Sequence, residues 1–561
     1  MNNTNIEIKL HDNVQFTSRF AMDYLETEEK YYNNIFYGDS DDTKGYVNDI
    51  SNRNFNYVWQ NTLSYIWAPN TEHYFTFKGI TESQKNYNYI LDAEGEGIAA
   101  PGLINLATTA TPTYASSETE DYSFQSYTGL MNYGFQDKIY VDASIRAEGS
   151  SRFAESERWG TFWSVGLGYV LSEEEFLDDV DFLDYLKLRG SYGKTGNSGV
   201  GINAYQATVG FGSYNDIASI TQSQLGNNVL SWETANSYDV ALEFEVFEKI
   251  SGNVTYFRKN SESLLFEVPL SYTTGHEQQD QNIGSLFNSG IEIELNVDVI
   301  RTRDFAWNVG GNYTHLKNEI TGLPTDANGE DITITDGLNY EAVNGYPYNA
   351  WYMREWAGVD PANGDPLWYM DDSNGGRTTT NIYNQADRYY QNASPLPTTF
   401  GGLSTRIEVK NFYLSANLYY SFGNKVFDSW AYYMRSDGLF VGSFGQYERQ
   451  SDYWTTENTD AKNPRPETPG NHHSGNETSS RFLYDGDYLR LKTVNIGYNV
   501  PLEYLQKVGL KSATFYFLGQ NLWTHIFDDD LNFDPEVRSD GLIDLNVAPL
   551  KSVTFGIKVN F

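Results

Sequence analysis

Residues 291–313 read IEIELNVDVIRTRDFAWNVGGNY. Ile291, Ile293, Leu295, Val297 and Val299 alternate with Glu292, Glu294, Asn296 and Asp298, so an extended chain here carries its apolar groups on one face and its acids and amide on the other. A helix would scatter both sets around its circumference. RTRD then makes a short turn, and Phe305, Trp307, Val309 and Tyr313 restart the alternation, which predicts an antiparallel hairpin.

Working outward, the same period recurs. SYDVALEFEVF (237–247) sets Tyr238, Val240, Leu242, Phe244 and Val246 against Asp239, Glu243 and Glu245, and KIYVDASIRAEG (138–149) sets Ile139, Val141, Ala143 and Ile145 against Asp142, Ser144 and Arg146. FYLSANLYYSF (412–422) and the terminal SVTFGIKVNF (552–561) repeat it, the latter with Val553, Phe555, Ile557, Val559 and Phe561 on its apolar face. ATFYFLGQNLW (513–523) is apolar on both faces, which leaves its orientation open. About sixteen or seventeen such segments occur, many longer than the ~9–11 residues that a tilted strand needs to cross a bilayer. Tight turns at 11–13, 68–72 and 135–138 contrast with long connections before Arg53, around 90–120 and across 430–480. That asymmetry predicts an all-β transmembrane antiparallel β-barrel with its polar faces toward a wet interior. A soluble sandwich has shorter strands and more even loops. The one helical expectation is SEEEFLDDV (172–180), where Ser172 and Glu175 have capping-box spacing.

Composition agrees with strands and excludes several functions. Aromatic residues make up 16% of the 561 residues and glycines number 48, a mixture that suits strands and turns. No run approaches the ~18 apolar residues of a spanning helix. The net charge is −37, with 38 Lys and Arg scattered against 75 acids, so no basic patch stands ready for nucleic acid. With no cysteine, disulfides, zinc–thiolate sites and cysteine nucleophiles are excluded. MNNTNIEIKL lacks the charged and apolar regions of a secretory signal, so either the protein stays inside or the chain lacks its true beginning.

Few motifs carry chemistry. DDDLNFDPE (528–536) gathers hard oxygen ligands, and Asp528, Asp530 and Asp534 are candidates for a structural calcium; a solvated acidic loop is the alternative. DPANGDP (360–366) lacks the Glu that closes a calcium loop and reads as a hairpin turn. His472 and His473 sit in a Pro, Gly and Asn-rich loop that offers a weaker metal candidate. GKTGNSG (193–199) departs from the phosphate-loop pattern, and no acid–base or nucleophile constellation stands out, so no enzyme is expected. In the aromatic connections, Trp351, Tyr352, Trp356, Trp368, Tyr369, Trp430, Tyr432 and Tyr433 are candidate ligand contacts, through rings stacking on sugar faces beside polar neighbours. An interfacial aromatic girdle or loop packing is the competing reading.

Eight stretches together resemble the SusC/RagA family of TonB-dependent outer-membrane transporters. They are SIRAEGSSRFAESERWGTFWSVGLGYVLSEEEFL (144–177), LKLRGSYGKTGNSG (186–199), LSWETANSYDVALEF (230–244), NIGSLFNSGIEIEL (282–295), KNFYLSANLYYSFGNKVFD (410–428), DYLRLKTVNIGYNVP (487–501), GQNLWT (519–524) and FDPEV (533–537). The resemblance implies that residues 1–561 are one partial barrel domain, holding 16–17 strands of the ~22 in a plugged transporter barrel. The family's signal peptide, carboxypeptidase-like extension, TonB box and plug are not visible, and an excerpt of a longer gene product is expected. The resemblance also implies the outer membrane of a Gram-negative bacterium and import of oligosaccharides or peptides with a SusD-like surface lipoprotein, TonB acting through the missing N-terminal region. Contacts with outer-membrane lipid and with the barrel-assembly machinery are implied too, the latter through the terminal Phe555, Ile557, Val559 and Phe561. The alternative is a non-transporting structural subunit of an outer-membrane assembly.

Overall fold

The structure is a computed structural model that describes residues 2–215, 217–325, 329, 331–332, 334–336, 339–373, 375–467, 474–544 and 547–561. No helix among them is long and apolar enough to cross a membrane. The chain divides into two compact units, and the second begins in earnest at Ser285.

In the first unit the strands Asn2–His11, Val14–Asn33, Tyr46–Trp67, His73–Ile98, Thr109–Phe135, Ile139–Ser150 and Trp159–Val170 pair antiparallel, each with the next. Four of them run for 20, 22, 26 and 27 residues. The long loops expected before Arg53 and around 90–120 are therefore mostly strand, with only 34–45 and 99–108 left as connections. Stretches such as YLETEEKYYN lack an apolar face, so nothing in their hydrophobicity marks them. Their backbone ladders fix them, and cross-strand polar pairs line their faces: Arg53 Nε to Glu26 at 3.0 Å, Lys30 to Asp49 at 3.3 Å, Lys85 to Asp121 at 2.9 Å, and Asn86 Nδ2 to Asn54 Oδ1 at 3.1 Å. A core of Phe153, Phe162, Val200, Ala204, Leu230 and Trp232 forms within the unit, with Phe124, Tyr205 and Leu265 packed against it.

In the second unit Ser285–Arg301, Phe305–Gly322, Thr399–Val409, Phe412–Phe422, Tyr488–Asn499, Ser512–Ile526 and Ser552–Asn560 pair antiparallel in the same way. The predicted hairpin at 291–313 is present with one correction. Asp298 lies opposite Asn308 and Ile300 opposite Trp307, so Val299 is an extra, bulged residue and Ile300 continues the apolar face. A second bulge falls at Lys492, since Leu491 pairs with Leu418 and Thr493 with Asn417. The orientation of 513–523 follows from its partners: Phe515 lies opposite Tyr498, Phe517 opposite Ile496 and Trp523 opposite Leu491, which puts all three rings on the apolar face.

The strands named above, with Leu183–Asn197, Glu233–Val246 and Ile250–Glu262, belong to one 17-stranded sheet. That sheet is not closed. Among the described residues Asn2–His11 pairs only with Val14–Asn33, Ser552–Asn560 pairs only with Ser512–Ile526, and the two do not meet. The expectation of a transmembrane β-barrel is thereby corrected to an open sheet. Alternation reports which face of a strand is apolar, whereas closure needs strand number, tilt and stagger to agree, and alternation is silent on all three. The expected helix at 172–180 is also absent: 3-10 turns occupy Leu171–Glu173 and Glu175–Leu177, and the Ser172 hydroxyl, buried without a partner, caps nothing.

Candidate functional site

The connections of the second unit fold onto one another. Lys425–Asp428 pairs antiparallel with Leu483–Asp485 and parallel with Leu542–Ile543. Trp356–Val359, Pro366–Asp371 and Arg377–Thr380 form a small meander, with DPANGDP as its first hairpin turn. A core of Tyr340, Trp351, Met353, Phe427, Ala431 and Phe482 ties these pieces together. Asp428 Oδ1 accepts the backbone N–H groups of Trp430 and Ala431 at 3.0 and 3.1 Å, starting the single helical turn Ala431–Met434 that delivers Arg435. Asp437 (φ 49°) and Gly438 (φ 103°) then reverse the chain in left-handed backbone, and a Cβ on Gly438 would stand 2.5 Å from the Glu467 carbonyl oxygen.

This reversal aims Asp437 at Arg481. The pair is bidentate, Nη1 to Oδ2 at 2.5 Å and Nη2 to Oδ1 at 2.9 Å, with the side chains 2% and 1% exposed. Gln450 Nε2 donates to the same Asp437 carboxylate at 2.8 Å. Beside the pair opens a cleft of about 470 Å³ lined by Trp356, Arg435, Arg449, Asp452, Lys462, Asn463, Arg481, Tyr484 and Asp530 among others. At its floor Arg435 donates to the Tyr484 hydroxyl at 2.7 Å and to Asn463 Oδ1 at 2.8 Å, and Arg481 donates to that same amide oxygen at 2.9 Å. Burial, followed by the charge of Arg481, pushes the Arg435 guanidinium below its ordinary value. At the mouth Asp530 bridges Arg449 and Lys462. The wall is Trp356, with the Arg481 guanidinium 4.9 Å from its ring centre.

The acidic loop holds this arrangement in place. Arg490, 1% exposed on the strand Tyr488–Asn499, binds Asp534 at 2.5 Å and Glu536 at 2.7 Å, and Lys492 also reaches Glu536. Asp528 accepts the Asp485 and Asp530 amides at 2.9 and 2.8 Å. The three calcium candidates thus go to different partners: Asp530 to two cations, Asp534 to a third, Asp528 to backbone. No group of three or more His, Asp or Glu suited to a metal occurs among the described residues. His472 and His473 lie outside them.

The aromatic candidates separate into clusters. Trp351 and Trp368 are wholly buried; Trp351 packs on Tyr340 at 4.7 Å and donates Nε1–H to the Lys425 carbonyl, and Trp368 meets Trp356 and Tyr383 edge-on. Tyr352 packs against Tyr390 with the rings tilted by 40°, and the Arg388 guanidinium lies over the Tyr352 ring. Tyr369 and Tyr389 sandwich Arg377, with ring centres 4.5 and 4.2 Å from its guanidinium. Trp430, Tyr432 and Tyr433 join Phe440 and Phe444 in a half-buried group, where Trp430 Nε1 donates to Asp544 at 3.0 Å. Of the eight, only Trp356 lines the cleft. Sequence reading passed over Arg435, Arg481, Asn463 and Lys462. The available signal was scarcity: with 38 basic residues against 75 acids, an arginine inside an aromatic loop motif such as SWAYYMR is worth marking.

At the C-terminal strand, Phe555 and Ile557 complete cross-strand apolar rows. One runs Leu414, Ile496, Phe517, Phe555 and the other Phe412, Tyr498, Phe515, Ile557. Phe555 and Phe561 are 79% and 82% exposed, and Val559 is half-buried.

Residues 1–394 match the family model described as TonB dependent receptor-like, beta-barrel. The chain is 27% identical over 614 residues to TonB-dependent receptor P26 of Formosa agariphila, covering 97% of this chain and 59% of that protein. It is 30% identical over 466 residues to TonB-dependent receptor SusC of Bacteroides thetaiotaomicron, covering 78% and 43%. The chain therefore spans about half the length of the curated relatives it matches. Its fold superimposes on a chain of the RagAB peptide transporter with a TM-score of 0.87 at 24% identity, covering all of this chain and 61% of that one. The chain belongs to the TonB-dependent receptor family of SusC/RagA type, a family of transport proteins rather than enzymes, seated in the Gram-negative outer membrane.

Proposed function

We propose that residues 1–561 act within an importer that carries oligosaccharides or peptides across the outer membrane. The match of residues 1–394 to the receptor family carries this reading. In it the apolar rows of Phe412, Ile496, Phe515, Phe517 and Phe555 face lipid, and the folded connections of the second unit form the surface that first meets cargo. Half-buried Tyr352, Trp356, Tyr369, Trp430, Tyr432 and Tyr433 are the rings available for stacking there, and Trp351 and Trp368 support them from beneath. A SusD-like lipoprotein is the proposed partner on that surface, and TonB the proposed source of energy. Phe555, Ile557, Val559 and Phe561 are the proposed recognition strand for barrel assembly. Growth of a strain deleted for the full-length gene on panels of oligosaccharides and peptides as sole nutrients tests the reading. Selective loss of growth on one oligomer class is expected, and undiminished growth on every oligomer would overturn it.

A further inference from the structure

We propose that the cleft between Trp356, Arg435, Lys462 and Arg481 is a binding site for an oxyanion, the carboxylate or sulfate group of a negatively charged ligand. Naming that ligand as imported cargo rests on the reading above; the binding chemistry does not.

The chain carries −37 overall, yet four of its basic residues, Arg435, Arg449, Lys462 and Arg481, line this one cleft against Asp452 and Asp530. An anion repelled by most of the surface finds a local excess of positive charge here. The floor is short of acceptors. Asp437 is already bound by Arg481 and Gln450, and Asp428 by two backbone amides and the Tyr447 hydroxyl, so the hydrogen bonds of Arg435 go to a phenol and to a neutral amide oxygen that it shares with Arg481. The Nε atoms of both arginines are buried without an acceptor. A buried guanidinium without a carboxylate is costly, and a ligand that brings the counter-charge relieves that cost. The cavity of about 470 Å³ admits an oxyanion together with the sugar or amino-acid unit bearing it.

The mouth supplies a mechanism of entry. Asp530 holds the position that a ligand's carboxylate would take, bridging Arg449 and Lys462 at a half-exposed site. An incoming oxyanion displaces the Asp530 carboxylate and inherits both cations. Asp530 therefore acts as an internal competitor, and two substitutions on one bridge have opposite signs.

The test titrates the full-length protein in detergent with sodium sulfate and, separately, sodium acetate at constant ionic strength set by chloride, following tryptophan fluorescence. Saturable binding of at least one is expected, and the stronger of the two tells a tetrahedral from a planar oxyanion. Asp530→Asn should tighten binding several-fold; Lys462→Gln, at an exposed position that leaves folding intact, and Arg435→Gln should each weaken it about tenfold. Linear, chloride-like responses, or equal affinities in wild type, Asp530→Asn and Lys462→Gln, would overturn the proposal. Import by the deletion strain is scored separately: binding with no import defect sinks only the transport reading, and an import defect with no oxyanion binding sinks only this one.

Discussion

Arg53 meets Glu26 at 3.0 Å in the long strands of the first unit, with the two side chains 54% and 38% exposed. Arg481 meets Asp437 at 2.5 Å in the folded connections of the second, at 2% and 1%. Both are arginine–carboxylate contacts, and they do different work. On an exposed ladder the backbone hydrogen bonds already fix the geometry, so the ion pair adds little and water screens it. In the connections no continuous ladder exists. There a bidentate buried pair ties Gly475, Asn463 and the Asp437 turn to one guanidinium, and the fold depends on it because an orphaned partner would be a buried charge. A charged pair matters in proportion to how little else holds the backbone near it.

The sharpest way to break that contrast is Asp437→Asn. It strands Arg481 and should cost about 3–5 kcal/mol, read as loss of hydrogen-exchange protection over 425–467 and 475–487, with Asp437→Asn/Arg481→Met recovering much of it. An unaffected exchange pattern would mean that the pair is as dispensable as a surface one. Next, Gly438→Ala should cost about 1–3 kcal/mol, because left-handed backbone and the nearby Glu467 carbonyl both resist a Cβ; urea denaturation of the purified protein measures it. A smaller effect is pH-linked. Burial raises the Asp428 carboxyl above its ordinary 3.8, so above the raised value the folded state holds an unfavourable ionised group, and that penalty is relieved as pH falls through the raised value toward 3.8. Stability of wild type relative to Asp428→Asn should accordingly improve on acidification across this window, and a flat difference between the two would remove burial as the cause. Smallest of all, Arg53→Gln in the first unit should change stability by about 1 kcal/mol or less; a loss comparable to that of Asp437→Asn would erase the comparison.

How far these regions were legible in the sequence follows the same line. Period-two alternation placed Ser285–Arg301, Phe305–Gly322 and Phe412–Phe422 because each has one apolar face, and it overstated the loops near residues 33–46 and 98–109 because Glu, Asn and Tyr runs have none. It could not show that the sheet stays open, since an edge strand alternates as an inner one does. The aromatic connections stood out by composition, and Trp356 among them does line the cleft. The contacts that build the cleft stayed hidden: Arg481 and Asp437 are 44 residues apart, and Arg490 and Asp534 likewise 44, with no period connecting them. Long-range charge pairing in irregular chain leaves no local signature.

The bulge at Lys492 carries a genetic consequence. Upstream of it Leu489 and Leu491 lie on the apolar face and Arg490 on the polar one; downstream Val494 and Ile496 take the apolar face while Thr493 and Asn495 turn away. Loss of that single codon would leave a strictly alternating strand, with Leu491, Val494 and Ile496 still on the apolar face and Arg490 still on the polar one. Loss of a paired neighbour such as Val494 would instead invert one end of the strand, either driving the Arg490 anchor of Asp534 and Glu536 outward or turning Ile496 inward. A strand of this kind has a phase as a gene has a reading frame, and Lys492 is the position that resets it.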